Sequence, residues 1–393
     1  MVNINKNFEN LVPSYLFAEV ASKVSEFKEK NPDMEVISLG IGDVTLPLAP
    51  IVVDAIKNAA DEMGEKETFK GYGPYEGYEF LRSKIKDYYA TNSANIEIDE
   101  IFVGDGAKND LGAILDLFEE TNVALIPDPV YPAYVDSSVI KGNGISYVSG
   151  NRENGFLPTP PDFKSDIIYI CSPNNPTGAV YDYDGLKRWV DYAVSNKAVI
   201  LFDAAYERFI ADRKLPRSIF CIEGARECAI EFCSLSKTAG FTGTRLGHTV
   251  IPRELKIGNS SLRDMWARRQ ASKYNGTSYI IQKAAEAVYS EEGLKQIDIS
   301  IDYYRKNAEI MSSALEDMQI EFYGGKNSPY IWFASPDNAS SWETFDLLLS
   351  HGVVCTPGSG FGENGEGFCR LTTFGNRDDV LKASKKLRDA FGG

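Results

Sequence analysis

Between about residue 98 and residue 252, short apolar runs rich in β-branched residues alternate with stretches whose apolar positions recur every three or four residues. The runs are EIFVG, NVALIPD, DIIYICS, AVILFDA, CAIEFCS and RLGHTVI. Such short, nearly continuous runs fit strands buried on both faces. One intervening helix is legible in GLKRWVDYAVS, where Leu186, Trp189, Val190, Ala193 and Val194 fall on one side. It crosses between DIIYICS and AVILFDA. The alternation predicts a mainly parallel sheet covered by helices, an α/β architecture.

Downstream of about residue 260 the pattern lengthens. SYIIQKAAEAVYSEEGL reads as helical, and SPYIWFAS and GFCRLTTFG read as short strands. A last helix is predicted after Asn376, a candidate N-cap, with Val380, Ala383, Leu387 and Phe391 on its apolar side. The expected division is a large α/β domain over 48–285 and a smaller α+β domain built from 1–47 and 286–393. No repeat, low-complexity tract or Pro/Ser-rich linker separates them, so an extensive shared interface is expected. Ligand sites favour such interfaces and the carboxyl ends of parallel strands.

Composition narrows the chemistry. Acidic residues outnumber basic ones by 56 to 41, which disfavours a nucleic-acid backbone binder. No leader-like segment and no uninterrupted apolar run of about eighteen residues is present, so no membrane association and a cytoplasmic location are expected. The six cysteines show no CxxC pair, which suits reduced thiols rather than disulfides or a zinc site. With only His248 and His351, histidine triads and histidine metal clusters recede. Lysine, tyrosine, carboxylates or an organic cofactor remain.

Four motifs follow the predicted strands in order. In GDGAKNDLGAILDLF a strand ends at Gly104-Asp105-Gly106 and Leu111, Ile114, Leu115 and Phe118 mark a helix starting near Lys108, a pattern able to bind an anion through free backbone amides. The third glycine of a nicotinamide fingerprint is replaced by Asn109, which counts against a dehydrogenase. CSPNNPTG places Asn175 where a strand opens into a crevice. AVILFDAAYERF ends an apolar strand on Asp203 with Tyr206 three residues later. A carboxylate there is costly to bury unless it meets a cation, and a protonated pyridine nitrogen would supply one; capping of the next helix is the plain alternative. CSLSKTAGFTGTRLG sets Ser234, Ser236 and Arg245 around Lys237, which suits a phosphate beside a desolvated amine nucleophile. A solvated loop lysine is the plain alternative there.

With these motifs the chain resembles the fold type I pyridoxal-phosphate-dependent aminotransferases of class I and II, over nearly its whole length. The resemblance implies that Lys237 is the amine that joins the cofactor, that Asp203 pairs with the ring nitrogen, that Asn175 and Tyr206 bind the phenolic oxygen and that Tyr131 stacks on the ring. It assigns Ala107, Lys108, Ser234, Ser236 and Arg245 to the phosphate region and Arg370 to the substrate α-carboxylate. YLFAEV, LGIGDVTLPL, GDGAKNDL, DPVYPAYVD, SKTAGFTGTRLG, YNGTS and TPGSGFGENGEGFCRL resemble, more narrowly, the LL-diaminopimelate aminotransferase branch of lysine biosynthesis. That branch implies a homodimer in which Tyr15, Gly42, Lys108 and Asn275 shape the substrate pocket, with Tyr15, Tyr72 and Asn275 reaching across the interface.

Two positions depart from the branch. Its members carry an acidic residue three places after the tyrosine of GYG, where this chain has Tyr75 followed by Glu76, and tryptophan where it has His248. The competing expectations are an aminotransferase for aspartate, aromatic or other amino acids, a β-lyase with the same cofactor, and a ligand-sensing regulator on the same fold.

Overall fold

The computed structural model describes residues 2–12 and 16–392. Seven strands form the central sheet in the order Ile101–Gly104, Gly247–Val250, Ala229–Ser234, Val199–Asp203, Ile167–Cys171, Val123–Asp128, Gly144–Ser149. Six run parallel; Gly247–Val250 is antiparallel to both its neighbours. All six runs read from sequence are strands. Gly144–Ser149 was not anticipated, because this edge strand is mostly exposed and its apolar signal is diluted by Gly144, Ser146 and Ser149.

Alternate residues of each central strand feed two cores. Ile168, Ile170, Ile200 and Phe202 pack on one face, and Ile167, Tyr169, Val199 and Leu201 on the other. The helix Tyr183–Asn196 is capped by Asp182, which accepts from the Gly185 amide, and it ends at Lys197 in the left-handed region. Its buried stripe is Leu186, Trp189, Val190 and Ala193, each of the large side chains worth roughly 1.5–3 kcal/mol on burial. Val194, expected on that stripe, is 43% exposed, since its position falls just past the stripe's edge.

A second sheet is fully antiparallel, in the order Phe322–Gly324, Tyr330–Ala334, Phe368–Thr372, Thr356–Pro357. Ile37–Ser38 pairs in parallel with Val353–Val354, which ties the early chain to its late part. SYIIQKAAEAVYSEEGL is two helices, Tyr279–Val288 and Glu291–Asp317. The break is set by Ser290, whose hydroxyl caps the second helix through the Gly293 amide, with Glu291 and Glu292 at its positive end. The last helix is Arg377–Phe391, with Val380, Ala383 and Leu387 buried. Asn376 holds the N-cap position without a side-chain capping bond; the Arg377 amide donates to Tyr303 Oη at 2.6 Å instead.

Candidate active site

The register of the large sheet brings the motifs to one edge. Cys171 pairs with Asp203, Asp203 with Phe232, Ser234 with Gly247 and Gly104 with Gly247, so these strands end level. Beyond that edge lies a cavity of about 330 Å³, a size suited to a small organic ligand. Gly42, Ala107, Lys108, Tyr131, Asn175, Asp203, Tyr206, Ser234, Ser236, Lys237 and Arg245 all line it. Residues spread over two hundred positions thus converge on one space.

At one end, Gly106 has φ +127°, and a Cβ there would come 2.4 Å from Arg245 Nη2, so only glycine fits. The helix Ala107–Ala113 starts beside it without a side-chain cap, which turns its positive end toward the cavity, an arrangement that suits an anion. Arg245 donates to Ser236 Oγ at 3.0 Å, and Ser234 Oγ accepts from the Ser236 amide at 3.1 Å. Backbone amides, two hydroxyls and a guanidinium face this end, a donor set that fits a phosphate.

Asp203 is 6% exposed, and among the described residues no ion pair reaches it. Burial raises its pKa, against the Tyr134 hydroxyl and the Ala205 amide that donate to it at 2.5 and 2.9 Å. A buried carboxylate facing a cavity with only neutral donors beside it fits a cationic ring nitrogen in that cavity. Lys237 Nζ donates to the Gly42 carbonyl. Burial lowers its pKa to about 8; Asp43 opposes the shift, while Arg370 and Arg245 add to it. Its amine is therefore far closer to a neutral nucleophile than an exposed lysine is.

Arg370 lies behind Asn175, 1% exposed, with its guanidinium donating to Asn175 Oδ1 and the Gly40 carbonyl, both at 2.6 Å. Those contacts fix the fork and turn the Asn175 amide nitrogen outward as a donor. The phosphate, ring and amine positions thus fit pyridoxal phosphate on observations of this chain alone.

Tyr72 is 93% exposed and Asn275 is also on the surface, and neither lines the cavity. Their loops adjoin, since a Cβ on Gly276 would touch the Pro74 carbonyl at 3.1 Å. Tyr15 lies outside the described residues. The Tyr75 hydroxyl bonds Glu76, whose charge raises the phenol's pKa. His248 does not line the cavity; buried in the sheet, its Nε2 lies 3.2 Å from Tyr89 Oη, and burial lowers its pKa to about 3.

Asp43, Tyr134, Cys171 and Thr242 line the cavity without having been anticipated; nor was Tyr330, which sits behind the lining with its hydroxyl 2.8 Å from that of Tyr206. Tyr134 had a signal, three residues after Tyr131 in YPAY at the start of the helix Ala133–Lys141. Tyr330 had none, because it comes from the other sheet.

The fold and this site define a pyridoxal-phosphate-dependent transaminase. A family model, aminotransferase class I and II, matches residues 34–387, and the chain belongs to that family. The chain is 51% identical over 395 residues to the LL-diaminopimelate aminotransferase of Azobacteroides pseudotrichonymphae genomovar. CFP2, covering 99% of this chain and 98% of that one. It is 49% identical over 402 residues to the enzyme of that name from Agathobacter rectalis, covering 99% and 100%. Among solved structures, the L,L-diaminopimelate aminotransferase from Chlamydomonas reinhardtii superposes with a TM-score of 0.95 at 40% identity, covering 100% of this chain and 99% of its own. The substrates of the family are small amino and oxo acids. No helix among the described residues is long and apolar enough to cross a membrane.

Proposed function

We propose that the chain transfers an amino group between LL-2,6-diaminopimelate and 2-oxoglutarate, with tetrahydrodipicolinate and glutamate on the other side, as a homodimer in the cytoplasm and in the service of lysine synthesis. The observation that carries the chemistry is the single cavity holding the Lys237 amine, the Asp203 carboxylate and the Asn175 amide anchored by Arg370. Similarity over the whole chain to enzymes named for this substrate supports the choice of donor.

When bound, pyridoxal phosphate supplies a cationic ring that withdraws electrons from the substrate α-carbon and a carbonyl that accepts the amino group. Asp203 would hold the ring nitrogen protonated, and Tyr134 helps keep Asp203 charged by donating to it. Asn175 Nδ2 and the Tyr206 hydroxyl, both at the cavity wall, would donate to the phenolic oxygen. Arg370 exchanges its contact with Asn175 or Gly40 for the substrate carboxylate, as a two-pronged fork. With its amine in the cavity, Lys237 would take the proton from the substrate α-carbon and give it back as the amino group is transferred. Its lowered pKa suits both halves of that transfer. Two successive half-reactions on one site give ping-pong kinetics.

The same proposal places Tyr15, Tyr72 and Asn275 in the other subunit's site and makes Glu76, paired with Tyr75, the carboxylate for the substrate's distal ammonium. It divides the chain into a large domain over 48–285 and a small one over 1–47 and 286–393. A donor screen tests it: LL-diaminopimelate is to exceed glutamate's competitors aspartate, tyrosine and cystathionine in kcat/KM with 2-oxoglutarate as acceptor. A preference for any of those three overturns the substrate and leaves the transaminase.

A further inference from the structure

Tyr330 stands outside the roles given so far, yet it touches three parts of the site from behind. It is 1% exposed, in the strand Tyr330–Ala334 of the antiparallel sheet. Its hydroxyl lies 2.8 Å from that of Tyr206, with the two rings 5.1 Å apart and at 73°. The Arg370 guanidinium lies over its ring, 4.5 Å from the centroid. A Cβ on Gly42 would come 2.4 Å from its hydroxyl oxygen.

Between the two phenols, geometry alone allows either to donate. Proton counting decides it once an oxygen anion occupies the cavity. A phenol has one proton. Tyr206 lines the cavity and can give its proton to the anion only if the proton shared by the two phenols is that of Tyr330. Both hydroxyls are buried, so water does not replace either partner cheaply.

We infer that Tyr330 is a positioning residue that donates to Tyr206, fixing the direction of the Tyr206 hydroxyl and strengthening the bond it gives to the phenolic oxygen of bound pyridoxal phosphate. Chained hydroxyls polarise one another, so the outer donor makes the inner one a better donor. The inference rests on the role proposed above for Tyr206. Cys171, Asp203 and Arg370 are the other ionisable groups facing the pair, and Tyr330→Phe leaves all three in place. It also keeps the ring that covers Arg370.

The test is a pH titration of the absorption of the bound cofactor in the wild type, Tyr206→Phe, Tyr330→Phe and the double variant. Donation to the oxygen favours its anion, so each loss raises the pH at which the chromophore gives up its proton. Tyr330→Phe is expected to move the midpoint up by a few tenths of a unit, less than Tyr206→Phe does, and to add nothing in the Tyr206→Phe background. KM for the amino donor stays as it is, because Arg370 keeps its cover, while kcat falls. A shift for Tyr206→Phe with none for Tyr330→Phe overturns the relay alone. No shift for Tyr206→Phe overturns the placement of Tyr206 and the relay with it. A Tyr330→Phe shift that persists undiminished without the Tyr206 hydroxyl also overturns the relay.

Discussion

Gly42→Ala probes how tightly the chain is fitted around Lys237. The added Cβ would sit 2.4 Å from Tyr330 Oη and 3.3 Å from its Cε1 and Cζ, where ordinary contact begins near 3.4 Å. Tyr330 cannot yield, since its hydroxyl is held by Tyr206 and its ring by Arg370. The strain therefore falls on the segment carrying Gly42, which has no regular secondary structure and is only partly buried. It must retreat by about 1 Å, and the carbonyl that holds Lys237 Nζ goes with it. Displacing a reacting group by about 1 Å costs up to roughly 10²-fold in rate, so kcat/KM is expected to fall about 10- to 100-fold. Because a loop absorbs the movement, the melting temperature should drop only slightly. Steady-state kinetics and thermal melts of Gly42→Ala, Tyr330→Phe and the pair form the assay. Removing the Oη leaves only contacts at 3.3 Å, which small adjustments relieve, so the double variant should be more active than Gly42→Ala alone. Full activity in Gly42→Ala, or no recovery in the double variant, would refute the reasoning.

Asp203→Ala should lower the single-turnover rate of the amino-donor half-reaction by about 10²–10³-fold while weakening cofactor capture far less, measured by stopped-flow absorption and equilibrium dialysis; an undiminished half-reaction contradicts it. Capture of pyridoxal phosphate by the cofactor-free protein should quicken as pH rises through about 8, where Lys237 becomes neutral, and a rate still climbing towards the ordinary 10.5 would argue against a buried amine. The same lowered value means that the unfolded chain binds more protons than the folded one between about 8 and 10.5, so Lys237 makes the cofactor-free protein gain stability as pH rises across that window. Lys237→Ala should remove that gain in pH-dependent denaturant melts, together with turnover and the borohydride-sensitive absorption band.

The sequence by itself determined the parallel core and the order of chemistry along it. Buried strands announce themselves as short apolar runs, and Asp203, Asn175, Ser234 and Lys237 follow directly on such runs, so their place at one sheet edge was already implied. The helix Tyr183–Asn196 was legible to within one residue of its buried stripe, and Val194 failed only at the stripe's margin. Local signals were weaker where a side chain's partner lies far away in the chain. Asn376 reads as a cap, but a tertiary contact with Tyr303 does that work. One helical pattern became two helices because a capping serine interrupts it.

Only the tertiary structure decided what surrounds the chemistry. Tyr330 and Arg370 come from a different sheet, and their contacts with Tyr206, Asn175 and Gly40 depend on how the two sheets meet, which no local pattern encodes. The shift in Lys237 likewise arises from burial and from the charge of Arg370, 133 positions after it, against the opposing charge of Asp43, 194 positions before it. Local periodicity fixes which face of an element is dry, whereas desolvation and hydrogen-bond direction belong to the space between elements. That is why Lys237 could be singled out from its neighbours in sequence, and its lowered pKa only from its neighbours in space.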